Sequence, residues 1–332
     1  QLYLLKIADE VDLDAAVTYC LDNGIDIINH SLGWYSTNYY DGTGTICDIA
    51  RRATNGGILW VNAAGNEAQS HWEGAFVDGN GDGWNDQDIT LYAASGSPII
   101  LYMTWNEWPQ SSTDYDLYLY DPSGAVAASS TKHQTGTEEP TESIQTTATQ
   151  SGTYRIRFQG AGSRSLEIYS LYQGVTPYVS GSSLLAPADL AEAVTVAAIN
   201  YASYTTGPQE PYSSQGPTND GRTKPDLACP EPPVLVSARA GRIADAAQLD
   251  PGLVAQAHRF GGATHRAVEK LELRPFERAA ALAVERAALA AHVQRRIEVL
   301  DVAPQRGSAI LGIDFGFICG EQALSHADPD VS

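Results

Sequence analysis

The chain has 332 residues, with 20 Lys plus Arg against 40 Asp plus Glu and a formal net charge of −20. That length is enough for two domains, and that charge repels nucleic acid and anionic lipid, so neither is a natural partner. No run of about 18 apolar residues occurs, so no membrane-spanning helix is predicted, and no signal-peptide pattern follows Gln1.

In chain order, residues 2–7 form an apolar run that reads as a strand. Acids at Asp9, Glu10, Asp12 and Asp14 suit a helix start, where the macrodipole favours negative charge. Val11, Ala15, Ala16, Tyr19 and Cys20 recur at helical spacing, and Gly24 follows as the residue after the C-cap. Residues 25–29 read as a second strand, 45–54 as a helix closed by Asn55-Gly56-Gly57, and 58–62 as a third strand. Apolar strands alternating with helices argue for a parallel sheet covered on both faces, to which 193–199 adds one more strand.

Residues 75–176 change character. The runs 99–105, 115–121, 152–158 and 166–171 alternate at period two, and Asp121-Pro122-Ser123-Gly124 is a turn signal. This predicts an all-β insert of about 100 residues, a sandwich. Beyond Pro230 the composition shifts again. Residues 1–230 hold nine Lys or Arg against 27 Asp or Glu, and the rest 11 against 13; all 17 Tyr and all six Trp lie before residue 213. In the tail, a helix from Pro275 to about 298 would line Phe276, Ala280, Ala283, Ala287, Ala290, Val293 and Ile297 on one face.

The four cysteines, Cys20, Cys47, Cys229 and Cys319, form no CxxC pair, which argues against zinc. Cys20 and Cys47 fall in helices flanking one strand; a disulfide and two buried thiols are both open.

Three segments carry the chemistry: Ile25-Asp26-Ile27-Ile28-Asn29-His30-Ser31-Leu32-Gly33, Asn62-Ala63-Ala64-Gly65-Asn66-Glu67, and Ser213-Ser214-Gln215-Gly216-Pro217 leading to Lys224-Pro225-Asp226-Leu227. In this order they resemble the subtilases, the subtilisin-like serine proteases (peptidase S8). The strand around Asp114-Tyr115-Asp116-Leu117-Tyr118-Leu119-Tyr120-Asp121, followed by Pro-Ser-Gly, resembles a pre-peptidase C-terminal-like β-sandwich. The resemblance implies an α/β fold. Its subtilisin-like core occupies 1–74 and 177–230, a β-sandwich insert occupies 75–176, and an unrelated Ala/Arg-rich tail, helical or disordered, occupies 231–332. A frameshift or assembly join and a genuinely fused segment both account for the tail.

By motif match, Asn66 would be the side-chain donor of the oxyanion hole. Ser31, Leu32 and Gly33 would form the substrate-binding strand, which an extended peptide joins by main-chain pairing. Ala63, Ala64 and Gly65 would form the other wall of the pocket, with Glu67 at its rim favouring a basic or polar side chain. An ordinary loop Asn and a plain strand end are the bland readings of the same residues. The family's triad Asp and His precede the first segment and its Ser follows the third. None is found in this chain, and Gly307-Ser308 lacks the Gly-Thr-Ser context, so Ser308 is not proposed as a nucleophile. His30 replaces a usual apolar residue, while His71 and His133 read as loop or surface residues.

Asp78-Gly79-Asn80-Gly81-Asp82-Gly83-Trp84-Asn85-Asp86 places Asp78, Asn80, Asp82 and Asp86 at the spacing that opens a calcium loop. Ile89 stands where an EF-hand needs a bidentate Glu, which leaves a shorter extracellular calcium loop or an acidic, Gly-rich linker. Together the resemblances imply a secreted serine endopeptidase acting on proteins or peptides through an acyl-enzyme, with no organic cofactor and with this chain inactive by itself; calcium is the one cofactor the sequence leaves open, through the spacing of the 78–86 loop. The alternative is a secreted binding module or pseudoprotease. Its sandwich would bind carbohydrate, peptide or a surface through a platform drawn from Trp105, Trp108, Tyr115 and Tyr118, of which alternation would make half core instead.

Overall fold

The computed structural model describes residues 2–200, 202, 205–231, 298–301 and 317–320. The chain opens with β1 (Leu2–Lys6), α1 (Glu10–Asp22), β2 (Ile27–His30), α2 (Gly44–Asn55) and β3 (Leu59–Ala63). The acids set the start of α1: Asp9 is its N-cap and accepts the Asp12 N–H at 2.9 Å, with Glu10 and Asp12 in the first turn. This satisfies an orphan donor and complements the helix dipole. Gly24 follows the C-cap at φ +65°, a conformation in which a β-carbon is penalised.

β2 and β3 run parallel; β3 pairs in parallel with β13 (Val194–Asn200), and β13 with β14 (Leu227–Glu231). The sheet has seven strands in the order β14-β13-β3-β2-β16-β1-β15, where β15 is Glu298–Asp301 and β16 is Phe317–Gly320. β16 lies antiparallel between β1 and β2, so the β1-α1-β2 crossover skips one strand position. These two stretches of the tail are strands, against the expectation of helical or disordered structure there. The predicted helix beginning at Pro275, and Ser308, lie outside the described residues.

The helices cover the sheet through one apolar cluster: Leu5, Leu13, Val17, Cys20, Ile28, Ile46, Cys47, Ile58 and Trp60 are all buried in it. Each fully buried Leu or Ile there contributes about 1.5–3 kcal/mol. Cys47 keeps its thiol, which donates to Asp189 Oδ1 at 3.3 Å. Of the two readings for the cysteines, this is the buried-thiol one for Cys47.

Between β3 and β13 the chain builds two antiparallel sheets. One has the order β4-β11-β6-β9, from His71–Ala75, Ser165–Ser170, Pro98–Trp105 and Thr141–Thr147. The other has the order β12-β5-β10-β7-β8, from Val175–Thr176, Ile89–Ala93, Gly152–Gly160, Tyr115–Tyr120 and Val126–Ser130. Period two sorts their side chains: in β7, Tyr115, Leu117 and Leu119 are buried while Asp116, Tyr118 and Tyr120 are half-buried. Both sheets feed one core that includes Trp72, Leu91, Leu101, Trp105, Tyr115, Phe158 and Ile168. β4 pairs with β11, so antiparallel structure begins at His71, before the boundary read at residue 75.

Candidate active site

In an open parallel sheet the ligand crevice lies at the carboxyl ends of the strands. The first two segments end there. Ser31 and Gly33 are exposed and Leu32 is half-buried, immediately after β2. The segment is docked by Trp34, whose N–H donates to Ala186 O at 2.9 Å. Gly33 faces Leu185 so closely that a β-carbon would lie 2.6 Å from Leu185 Cδ1, which excludes any larger residue without rearrangement.

The second segment follows β3. Ala63 is exposed, Ala64 is buried and bonded to β13 through its N–H to Val196 O at 2.9 Å, and Asn66 is exposed at the tip. Gly65 has φ +109°, and a β-carbon would sit 2.7 Å from Ser214 Oγ. Here the third segment arrives: Ser214 donates its N–H to Gly65 O at 2.9 Å and accepts the Glu67 N–H on Oγ at 2.9 Å. Ser214 thus clamps the turn that presents Asn66. The Lys224-Pro225-Asp226 stretch is anchored separately, with Lys224 Nζ donating to Asp226 Oδ2 and to Ala193 O, both at 2.6 Å.

A buried polar group underlies both segments. His30 Nδ1 lies 2.6 Å from Asn62 Oδ1, which also accepts from Trp60 Nε1 at 3.2 Å. Asn62 Nδ2 donates to Ala63 O at 2.8 Å and to Leu32 O at 3.4 Å, so its Oδ1 is the acceptor and His30 Nδ1 is the donor. Burial pushes His30 down to about 4, which keeps the ring neutral and makes it part of the scaffold.

Several sequence readings are corrected. Glu67 is not at an open rim: it is buried, its Oε2 accepts from Ser70 Oγ at 2.9 Å, and its Oε1 faces the Asn66 N–H at 3.4 Å. His71 is neither loop nor surface; it lies in β4 at 0% exposure, with Nδ1 donating to Val179 O at 2.8 Å and Nε2 lying 3.6 Å from the buried Glu167. The signal for this was the period-two pattern, in which His71 and Glu73 alternate with the core residue Trp72. His133 is exposed beside Asp114, as read. Of the four platform aromatics, Trp105 and Tyr115 are core residues at 0% exposure, in line with the expectation that alternation makes half of them core.

The acidic loop closes on itself. Asp78 Oδ1 accepts the N–H groups of Gly81 and Asp82, and its Oδ2 accepts that of Gly83. Asn80 Oδ1 accepts from Asp82 N, Asp82 Oδ1 from Trp84 N, and Asp86 Oδ2 from Gly79 N. The Trp84 N–H and the Asn80 amide hold the Asp82 carboxyl below its usual range. Among the described residues no three His, Cys, Asp or Glu side chains gather as a metal site.

Residues 7–85 match the model of the subtilase family. Among solved structures, the CspB protease of Clostridium perfringens is similar at TM-score 0.52 and 17% identity, over 68% of this chain and 53% of that one. The likeness is one of fold, and the chain spans about half the length of that protease. The pre-peptidase C-terminal domain of a collagenase from Bacillus anthracis aligns over 34% of this chain and 95% of that domain, at 17% identity and TM-score 0.23, a score too low to bear on the fold. No curated protein matches the chain.

Proposed function

We propose that this chain carries the substrate-binding and oxyanion part of a subtilisin-like serine endopeptidase, acting on proteins or peptides outside the cell. One observation supports this above the others. Three segments distant in sequence meet at the strand ends, the first joined to the second by the Asn62 bond to Leu32 O and the second to the third by the Ser214 bonds to Gly65 and Glu67, with Asn66 left exposed at the tip. In this reading the backbone of Ser31–Gly33 pairs with an extended peptide, and Ala63–Gly65 give close approach on the opposite side. The Asn66 amide then donates to the oxygen of the scissile carbonyl as it becomes tetrahedral. Removing such a donor costs about 10²–10³ in rate, a magnitude established on a subtilisin itself. The two antiparallel sheets are, in the same proposal, a sandwich inserted between the two parts of the core.

The three histidines with described surroundings do not make a triad base. His30 is neutral and bonded to Asn62, His71 is bonded to Val179 and faces Glu167, and His133 pairs with Asp114. The chain by itself is therefore expected to be inert to a fluorophosphonate serine probe. Stoichiometric labelling of the purified chain, located on any serine by mass spectrometry, would show that a nucleophile is present and would overturn this part of the reading. For the acidic loop, the hydrogen bonds that occupy Asp78, Asn80, Asp82 and Asp86 support the linker reading over calcium. No helix among the described residues is long and apolar enough to cross a membrane.

A further inference from the structure

We propose that Glu142 and Gln134 form a proton-held latch, a carboxylic acid paired to an amide, that fastens the terminal strands of the two antiparallel sheets. β8 ends the five-stranded sheet and β9 ends the four-stranded one. Each has one side without a ladder partner among the described residues, so this edge needs protection. The connection between them, residues 131–140, folds back over it. Asp114 Oδ1, just before β7, accepts the Gln134 N–H at 3.1 Å, and Ser111 and Glu138 form an isolated bridge.

Glu142 lies in β9 and Gln134 in the connection, and both are buried, at 0% and 2% exposure. Glu142 Oε1 has two donors: the Gln134 amide at 3.1 Å and the Lys132 N–H at 2.9 Å. The other oxygen of that carboxyl, Oε2, and the oxygen of that amide, Gln134 Oε1, are in the opposite position. Among the described residues both are buried with no hydrogen-bond partner, and neither borders a space that would hold water. Two acceptors cannot satisfy each other, but one proton serves both. As a carboxylic acid, Glu142 donates Oε2–H to Gln134 Oε1 while its Oε1 still accepts from Gln134 Nε2. The two groups then close a ring of two hydrogen bonds.

Burial pushes the Glu142 carboxyl up from its ordinary 4.5, the direction that keeps this proton. The Lys132 ammonium is the charge that opposes the latch, because it favours the carboxylate. His133 and Asp114 pair with each other at 2.6 Å. The Thr135 N–H, with the Thr137 and Thr135 hydroxyls, holds Glu138 down to about 2, so Glu138 stays ionised throughout. Opposite Glu142, β6 carries Met103, and β8 brings Ser130, whose Oγ accepts the Ser143 N–H at 3.3 Å; neither titrates. A raised carboxyl binds its proton more firmly in the folded chain than in the unfolded one. The latch is therefore fully present below pH 4.5 and is lost as pH rises through the folded value.

Amide hydrogen exchange and a carboxyl-carbon NMR titration of the whole chain test this. Glu142→Gln puts an amide of the same shape in place of the acid, and it donates to Gln134 Oε1 at every pH. Corrected for the intrinsic rate, wild-type exchange at residues 131–136 should rise about tenfold from about pH 5 to about pH 8, with β10 unchanged; the variant should stay flat. An equal rise in the variant, which would trace the effect to His133 and Asp114, overturns the proposal, and so does a flat wild-type profile. The Glu142 carboxyl carbon should titrate above 4.5. Titration at or below that value overturns the latch even if the variant fails to fold.

Discussion

At the scale of single residues, the site rests on polar side chains whose roles depend on burial. His30 is the clearest case. Its neutral ring donates to Asn62, and Asn62 joins Leu32 of one segment to Ala63 of the other. Its pKa falls from 6.5 to about 4 in the fold, so between those values the unfolded chain binds a proton that the folded one does not. Stability is then fully present above pH 6.5 and is lost as pH falls toward 4, by about 3 kcal/mol from this residue. Urea unfolding at stepped pH should show the loss in wild type and a flatter profile in His30→Leu; an equally steep profile in the variant would remove His30 as its source. Gly33 and Gly65 were legible in the sequence as small residues in a motif. That Leu185 and Ser214 are the atoms each glycine makes room for was not, because both lie some 150 residues away in the chain.

At the scale of elements, local patterns carried far. The acids before α1, Gly24 after it and the period-two runs of β6, β7, β10 and β11 each specify an element whose bounds fall within a few residues of the reading. Where a pattern had two local solutions, spacing alone could not choose. The 78–86 loop has calcium-like spacing, yet its carboxylates bend back onto N–H groups two to five residues on, the turn chemistry of Asp and Asn. Isothermal calorimetry of the chain with millimolar calcium should therefore register no uptake, and a saturable heat at that concentration would restore the metal reading. β4 shows the reverse failure: His71 read as a loop or surface residue because the strand is short and polar on one side, and its period-two pattern becomes decisive only with the pairing to β11.

At the scale of the whole molecule, the antiparallel sheets have their own apolar core and touch the parallel part through a polar, aromatic face. Glu167, at 0% exposure, holds that face by accepting from Tyr169 and Asn219 beside His71. Glu167→Ala strips partners from buried polar groups, at a cost of about 3 kcal/mol. Differential scanning calorimetry should show one heat transition in wild type and two in the variant, and a single transition merely moved to lower temperature would mean the face does not join the two parts. The sequence by itself determined the alternation of strands and helices, the period-two sheets and the three motif segments, because propensity, capping and turn chemistry act over a few residues. The tertiary structure alone decided that Ser214 clamps the Asn66 turn and that Glu67 and His71 are buried. Those facts depend on which surfaces exclude water from one another, and that is settled by contacts between residues far apart in the chain.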